Sequence, residues 1–159
     1  MYSKEEEIFL FSHFDKTKKV LEYGSGNSSI EIAKEVKHLV TIEHMPNWYE
    51  HLKDKLPENS DIFHILKDDG SYVSLIKPEH GLYKEWQNYI EYPLNHKPFD
   101  IIFIDGSARV GCASVCKKLG HENTLVFIHD WQGQRYSGAL QYLEHIETVF
   151  TMAKFKIKS

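Results

Sequence analysis

Between Lys19 and Ser29 the chain reads Lys-Val-Leu-Glu-Tyr-Gly-Ser-Gly-Asn-Ser-Ser, a short apolar stretch that closes on an acid and opens into a glycine turn. Gly24 and Gly26 carry no Cβ where a backbone must bend and come close to a ligand, and Ser28 and Ser29 supply hydroxyls that can cap a following helix. A strand-turn-helix junction of this kind binds a nucleotide-like cofactor through its backbone. A second acid, Glu43 in Val40-Thr41-Ile42-Glu43, follows about 20 residues on, where a ribose-binding carboxylate belongs. The sign of charge narrows the ligand. A carboxylate at Glu22 repels a pyrophosphate and suits a cationic group. The dinucleotide pattern G-x-G-x-x-G is also broken, because Ser29 holds its last position.

A second constellation lies further on. Phe99-Asp100-Ile101-Ile102-Phe103-Ile104 runs into Asp105-Gly106-Ser107, and Thr124 to Ile128 runs into His129-Asp130-Trp131. In an open parallel sheet, ligands bind at the carboxyl ends of the strands, so polar residues that close apolar strands point into one crevice. His129 is a candidate general base, since an ordinary imidazole titrates near 6.5. Asp130 can orient a neighbour. Arg109 either pairs with Asp105 as a structural ion pair or binds an anionic acceptor group, and Arg135 and Tyr136 have similar status. The competing structural reading makes Asp105 and Asp130 helix caps or acceptors for backbone amides. The chain has ten histidines, so a structural part for any one of them also stays open.

The elements that must position these residues alternate along the chain. Ser3-Lys4-Glu5-Glu6 reads as a capping box opening a helix through about Phe14. A strand follows at Lys19 to Tyr23, then a helix over 28–37 with Ile30, Ala33 and Val36 in helical spacing. Further strands are expected over 39–43, Ile62 to Leu66, Phe99 to Ile104 and Thr124 to Ile128, with a helix over 47–55. The last two strands are nearly unbroken apolar runs, as a parallel sheet covered on both faces requires. Leu140 to Phe150 and Met152 to Lys158 would add a helix and a short terminal strand or hairpin. Residues 71–97 break the rhythm. This connection is overlong and carries Tyr72, Tyr83, Trp86, Tyr89 and Tyr92. The aromatics could wall an acceptor pocket, while the helical spacing of Trp86, Tyr89 and Ile90 equally suits packing on the sheet or on a second copy in a homo-oligomer.

Residues 1–159 are therefore expected to form one α/β domain, a doubly wound, mostly parallel sheet in the order 3-2-1-4-5 plus the terminal strand or hairpin. A net charge of −4 and a pI near 6.2 argue against tight, sequence-independent nucleic-acid binding. The basic run Lys154 to Lys158 reads as the solvent face of an edge strand. Cys112 and Cys116 lie four apart in an expected helix and read as packing residues of a reducing compartment. No apolar run reaches the roughly 18 residues of a membrane span, and Met1 to Glu7 does not read as a signal peptide, so a cytoplasmic location is expected.

At Glu22 to Ser28 and at Glu43 the chain resembles the class I S-adenosylmethionine-dependent methyltransferases, whose first motif is an acid followed by G-x-G-x-G; Ser28 stands at the third glycine. The resemblance implies a Rossmann-like fold over about residues 19 to 131. It places S-adenosylmethionine against Glu22, Tyr23, Gly24, Ser25, Gly26, Asn27, Ser28, Glu43, His44 and Asp105, with either Asp68 or Asp69 reaching the adenine. The ends of the fourth and fifth strands look like those of small-molecule O-methyltransferases. This implies transfer to a small-molecule or sugar hydroxyl, with Asp105, His129 and Asp130 catalytic and Arg109, Arg135 and Tyr136 at the substrate. Metal-dependent members hold a divalent ion such as magnesium at positions matching Asp105 and Asp130, but Trp131 stands where they carry a further oxygen ligand. The amino-methyltransferase pattern is absent at Asp105-Gly106-Ser107-Ala108, and no Pro-Cys loop for pyrimidine chemistry is present. Two other functions use the same residues: binding S-adenosylmethionine without transfer, and cleaving it.

Overall fold

The computed structural model describes residues 2–71 and 77–159. One seven-stranded sheet runs through it in the order β3-β2-β1-β4-β5-β7-β6. The strands are β1 (Lys19–Tyr23), β2 (His38–Glu43), β3 (Ser60–His64), β4 (Ile101–Ile104), β5 (Leu125–Ile128), β6 (Leu143–Val149) and β7 (Met152–Ile157). β1 to β5 are mutually parallel, whereas β7 runs antiparallel to β5 and β6 antiparallel to β7. The helices are α1 (Lys4–Phe11), α2 (Asn27–Glu35), α3 (Pro46–Leu52), α4 (Gln87–Glu91) and α5 (Arg109–Leu119).

The apolar strands divide by the pleat into two cores. Val20, Leu39, Ile101, Phe103 and Phe127 face one layer with Leu10 of α1 and Ile32 and Ala33 of α2. Leu21, Tyr23, Val40, Ile42, Ile102, Ile104, Val126 and Ile128 face the other, with α4 and α5. This two-sided burial explains the unbroken apolar runs. Trp86, Tyr89 and Ile90 are fully buried in the second layer, so they pack on this chain's own sheet rather than on a second copy. Replacing either aromatic by Ala would cost about 3–5 kcal/mol. Cys112 and Cys116 are buried free thiols in the same layer.

Several expected boundaries move. α1 stops at Phe11, three residues before the expected end, and β3 ends at His64 although the Ile65 amide still bonds Glu43 O at 2.8 Å. The expected helix over Leu140 to Phe150 is a correction: a 3-10 turn at Ser137–Gln141 is followed by strand β6. Glu144 to Thr148 are all exposed, which leaves no apolar stripe for a helix to bury. The β-branched Ile146, Thr148 and Val149 suit a ladder with β7 instead, and Glu144 and Glu147 pair there with Lys156 and Lys154. The basic run is corrected too, since β7 lies inside the sheet and β6 forms the edge. Among the described residues of 71–97, the overlong connection contains a helix, α4, together with 3-10 turns at Pro78–His80, Tyr83–Glu85 and Tyr92–Asn95. Tyr72 lies outside the described residues. Among the described residues no helix is long and apolar enough to cross a membrane.

Candidate active site

The glycine turn forms where β1 ends against β4. Gly24 has φ +89, and a Cβ there would lie 2.5 Å from Gly106 Cα; one on Gly106 would lie 2.8 Å from Gly24 Cα. The two strand ends therefore meet backbone to backbone, which only glycine at both positions permits. Beneath the turn, Ser29 Oγ accepts from the Gly26 amide at 3.0 Å and donates to Glu22 Oε2 at 2.7 Å. Glu22 is 1% exposed, and its Oε1 has no hydrogen-bond partner among the described residues. Burial pushes its carboxyl up to about 8, aided by the charges of Asp105 and Glu43, so it is largely neutral at pH 7. Glu22 thus props the turn from below as a protonated acid, instead of offering a charge to a ligand.

Above the turn opens a cavity of about 230 Å³, lined by Tyr2, Gly24, Ser25, Gly26, Asn27, Ser28, Trp48 and Asp105. Among the described residues of this lining, Asp105 is the one carboxylate and none carries a cationic side chain. Glu43 lies just outside. Its Oε2 accepts from the Ser25 amide at 2.8 Å and the Ser25 hydroxyl, and its Oε1 from the Met45 amide at 2.7 Å. The carboxylate is buried and ties the ends of β1 and β2 together. Tyr23 is a core residue whose hydroxyl donates to Ile90 O at 2.6 Å. His44 bonds the Ser107 hydroxyl at 3.1 Å and lies edge-on to Trp86, with its pKa lowered chiefly by burial. Asp68 accepts from the Gln87 and Asn88 amides at 3.0 and 2.9 Å and so caps α4, while Asp69 closes its own turn on Ser71. Neither lines the glycine cavity.

Beside this cavity the ends of β4 and β5 bring Asp105, His129 and Asp130 together. Ile104 and Ile128 are register partners, so the next residues, Asp105 and His129, are neighbours in turn. His129 Nδ1 and Asp105 Oδ1 are 2.9 Å apart. A carboxylate can only accept, so the imidazole donates from Nδ1. His129 Nε2 faces Asp130 Oδ1 at 3.7 Å and Glu6 Oε2 at 3.8 Å, beyond hydrogen-bond distance. Burial alone would lower the imidazole pKa, but the Asp105 hydrogen bond and the charges of Asp105, Asp130 and Glu6 outweigh it and raise it. Asp130 holds φ +51, a left-handed conformation that Asp tolerates better than most residues.

Arg109 locks the cluster from the side. Its guanidinium donates to the carbonyls of Gly106, Asp105 and His129, reaches Asp105 Oδ1 at 3.4 Å and stacks over the Tyr136 ring at 5.6 Å. With these donors engaged and the side chain 7% exposed, it acts as a structural clamp. Tyr136 is buried beneath it, while Arg135 is exposed. The ligand atoms of Asp105, His129 and Asp130 lie within 4.8 Å of one another, close enough for a metal ion. Magnesium, however, takes an octahedron of oxygens, and here one donor is an imidazole and the Arg109 cation already neighbours both acids, at 3.4 and 3.9 Å. The set fits magnesium poorly.

Sequence reasoning missed Tyr2, Glu6 and Trp48. Tyr2 stands edge-on to His129 at 5.7 Å, and Trp48 of α3 walls the glycine cavity. A lone aromatic at a chain end or on a short helix carries no spacing signal. Glu6 was legible only as half of the capping box, which it does form with Ser3. That its other oxygen accepts from the Thr151 amide and hydroxyl is a contact across the whole chain.

Neither a family model nor a curated protein matches the chain by sequence. Solved structures do match by shape. A methyltransferase-like protein from Silicibacter pomeroyi superposes with a TM-score of 0.75 at 19% identity, over 99% of this chain and 88% of the other. A TehB-like S-adenosylmethionine-dependent methyltransferase from Corynebacterium glutamicum gives 0.62 at 13% identity, over 96% and 87%. The fold is that of the class I S-adenosylmethionine-dependent methyltransferases. The N-methyltransferase NodS from Bradyrhizobium japonicum, at 0.60 and 11% identity over 100% of both chains, shares it. The likeness is one of fold, and in this chain the glycine cavity and the Asp105–His129–Asp130 cluster lie at the ends of β1, β4 and β5.

Proposed function

We propose that this chain transfers the methyl group of S-adenosylmethionine to a hydroxyl of a small-molecule acceptor. The observation that supports it most is the double engagement of Asp105, which lines the glycine-turn cavity and hydrogen-bonds His129 at 2.9 Å. That carboxylate joins a cofactor cleft to a proton acceptor. The cavity chemistry suits the cofactor: one carboxylate and no cationic side chain among the described lining residues favour a sulfonium and an ammonium over a pyrophosphate. At Gly26 an added Cβ would meet only Ser28 Oγ at 3.7 Å, so the space above the turn is open.

Gly24 to Ser28 with Asp105 would hold the amino-acid end of S-adenosylmethionine, Trp48 would offer its indole face to the base, and Glu43 would reach the ribose once Ser25 releases it. One acid of the Asp68–Asp69 pair would reach the adenine from the loop after β3. When bound, S-adenosylmethionine supplies a methyl already activated on a sulfonium. The protein's share is then mainly orientation, worth up to roughly 7–11 kcal/mol in well-aligned systems. Asp105 fixes the imidazole with its proton on Nδ1, which leaves Nε2 of His129 to accept the hydroxyl proton. Asp130 and Glu6 stabilise the imidazolium that results. No metal is needed in this scheme, because Arg109 balances the two aspartates.

The test is product analysis by mass spectrometry after incubation with S-adenosylmethionine and a small-molecule pool, with magnesium and with chelator. S-adenosylhomocysteine formed equally in both supports metal-free transfer. Methylthioadenosine would mean cleavage, and unchanged cofactor would mean binding alone.

A further inference from the structure

A second cavity of about 400 Å³ lies beyond Tyr136, between α5 and the turns at residues 78–85. Its walls include Tyr83, Tyr136 and Tyr142, with Val110 of α5 beneath them. The roof is tied down where the Ala108 amide donates to Pro78 O at 2.8 Å. Glu79, His80, Ser114 and Arg135 add polar groups to this lining. His80 has both ring nitrogens buried and without a hydrogen-bond partner among the described residues; Glu79, its nearest acid, is 4.0 Å from Nε2. A buried imidazole with neither nitrogen satisfied is costly and calls for a partner. Arg135 is exposed at the rim and forms no ion pair among the described residues. The His80 and Tyr136 rings pack against each other, with centroids 5.4 Å apart at 42°.

We infer that this cavity binds a planar aromatic carrying a carboxylate and a ring hydroxyl. Aromatic walls select a flat ring, the Arg135 guanidinium pairs with a carboxylate in bidentate fashion, and His80 takes the hydroxyl as a hydrogen-bond partner. The volume sits at the lower end of the range for small-molecule sites. The inference stands apart from the methyl-transfer reading, because Tyr136 and Arg109 lie between this cavity and the Asp105–His129 pair. The other side of the Tyr136 wall carries Arg109, which contacts Asp105 of the catalytic cluster.

Titration of the purified chain with 4-hydroxybenzoate, phenol and cyclohexanecarboxylate, followed by ligand-observed and histidine-resolved NMR, tests it. The expected result is that 4-hydroxybenzoate binds at least about tenfold more tightly than either analogue and shifts the His80 resonances. Arg135→Gln should bring it down to the affinity of phenol, and Tyr142→Ala should weaken all aromatic probes. Both side chains are solvent-exposed, so both variants should keep the parent melting temperature. Equal affinity for 4-hydroxybenzoate and phenol, indifference to Arg135→Gln, or an unmoved His80 signal would overturn the assignment. S-adenosylhomocysteine is titrated into the same samples. Its binding without that of 4-hydroxybenzoate rejects the cavity ligand alone, and the converse rejects methyl transfer alone.

Discussion

Asp105 Oδ1 and His129 Nδ1 stand 2.9 Å apart because their strands, β4 and β5, run parallel in register up to Ile104 and Ile128. Backbone pairing alone therefore delivers a carboxylate and an imidazole to one point, and Arg109 then fixes both through the neighbouring carbonyls.

The imidazole must be neutral to accept a proton, and its pKa lies above the ordinary 6.5. Turnover should therefore rise with pH through an inflection above that value and level off beyond it. Asp105→Asn removes the hydrogen-bonded charge and should move the inflection down, with a loss of roughly 10²–10⁴ in rate. The pH profile of kcat/KM for the two proteins is the check; an inflection unmoved by the substitution contradicts the base assignment.

Glu22 gives a stability prediction of its own. Its folded pKa of about 8 lies above the ordinary 4.5, so the folded state holds the proton more tightly than the unfolded state. The stability this contributes is complete below pH 4.5 and is lost as pH rises towards 8. Glu22→Gln keeps the shape without the charge. The variant should match the parent in urea unfolding at pH 4.5 and exceed it at pH 8 by more than about 1.4 kcal/mol, the equivalent of one pKa unit. Parallel stability curves across that range would show that Glu22 is not held neutral.

Glu6 behaves in the opposite way. Burial works against its charge, but hydrogen bonds from Thr151 and Ser3 outweigh this and lower its pKa to about 2. Its stabilisation is present above pH 4.5 and disappears as pH falls towards 2. Glu6→Ala, which strands the Thr151 donors and loses the capping box, should cost about 2–3 kcal/mol at pH 7 and much less near pH 2. Denaturant titrations at the two pH values check it, and an equal loss at both would refute the charge-based account.

How much of this could be read beforehand follows from the range of the interactions. Val20 and Leu21, or Ile101 and Ile102, face two different cores within single strands, and such local apolar runs announced β1 to β5. Gly24, Asp105 and His129 were legible because a strand end has a fixed meaning in a parallel sheet. β6 was not, since Leu143–Val149 becomes a strand only by pairing with a β7 that follows it. The inward turn of Glu43 onto Ser25 and of Asp68 onto α4 was hidden likewise: a carboxylate's type is visible in sequence, its partner is not.

The cofactor assignment is tested most directly at Gly26. Its φ of −168 is extended backbone open to any residue, and a side chain there grows into the cavity above the turn rather than into protein. Calorimetric titration with S-adenosylhomocysteine should show binding by the parent, none by Gly26→Phe, and a melting temperature within a few degrees for the two. Binding that survives Gly26→Phe, or a parent chain that binds NAD in preference to S-adenosylhomocysteine, would contradict the account.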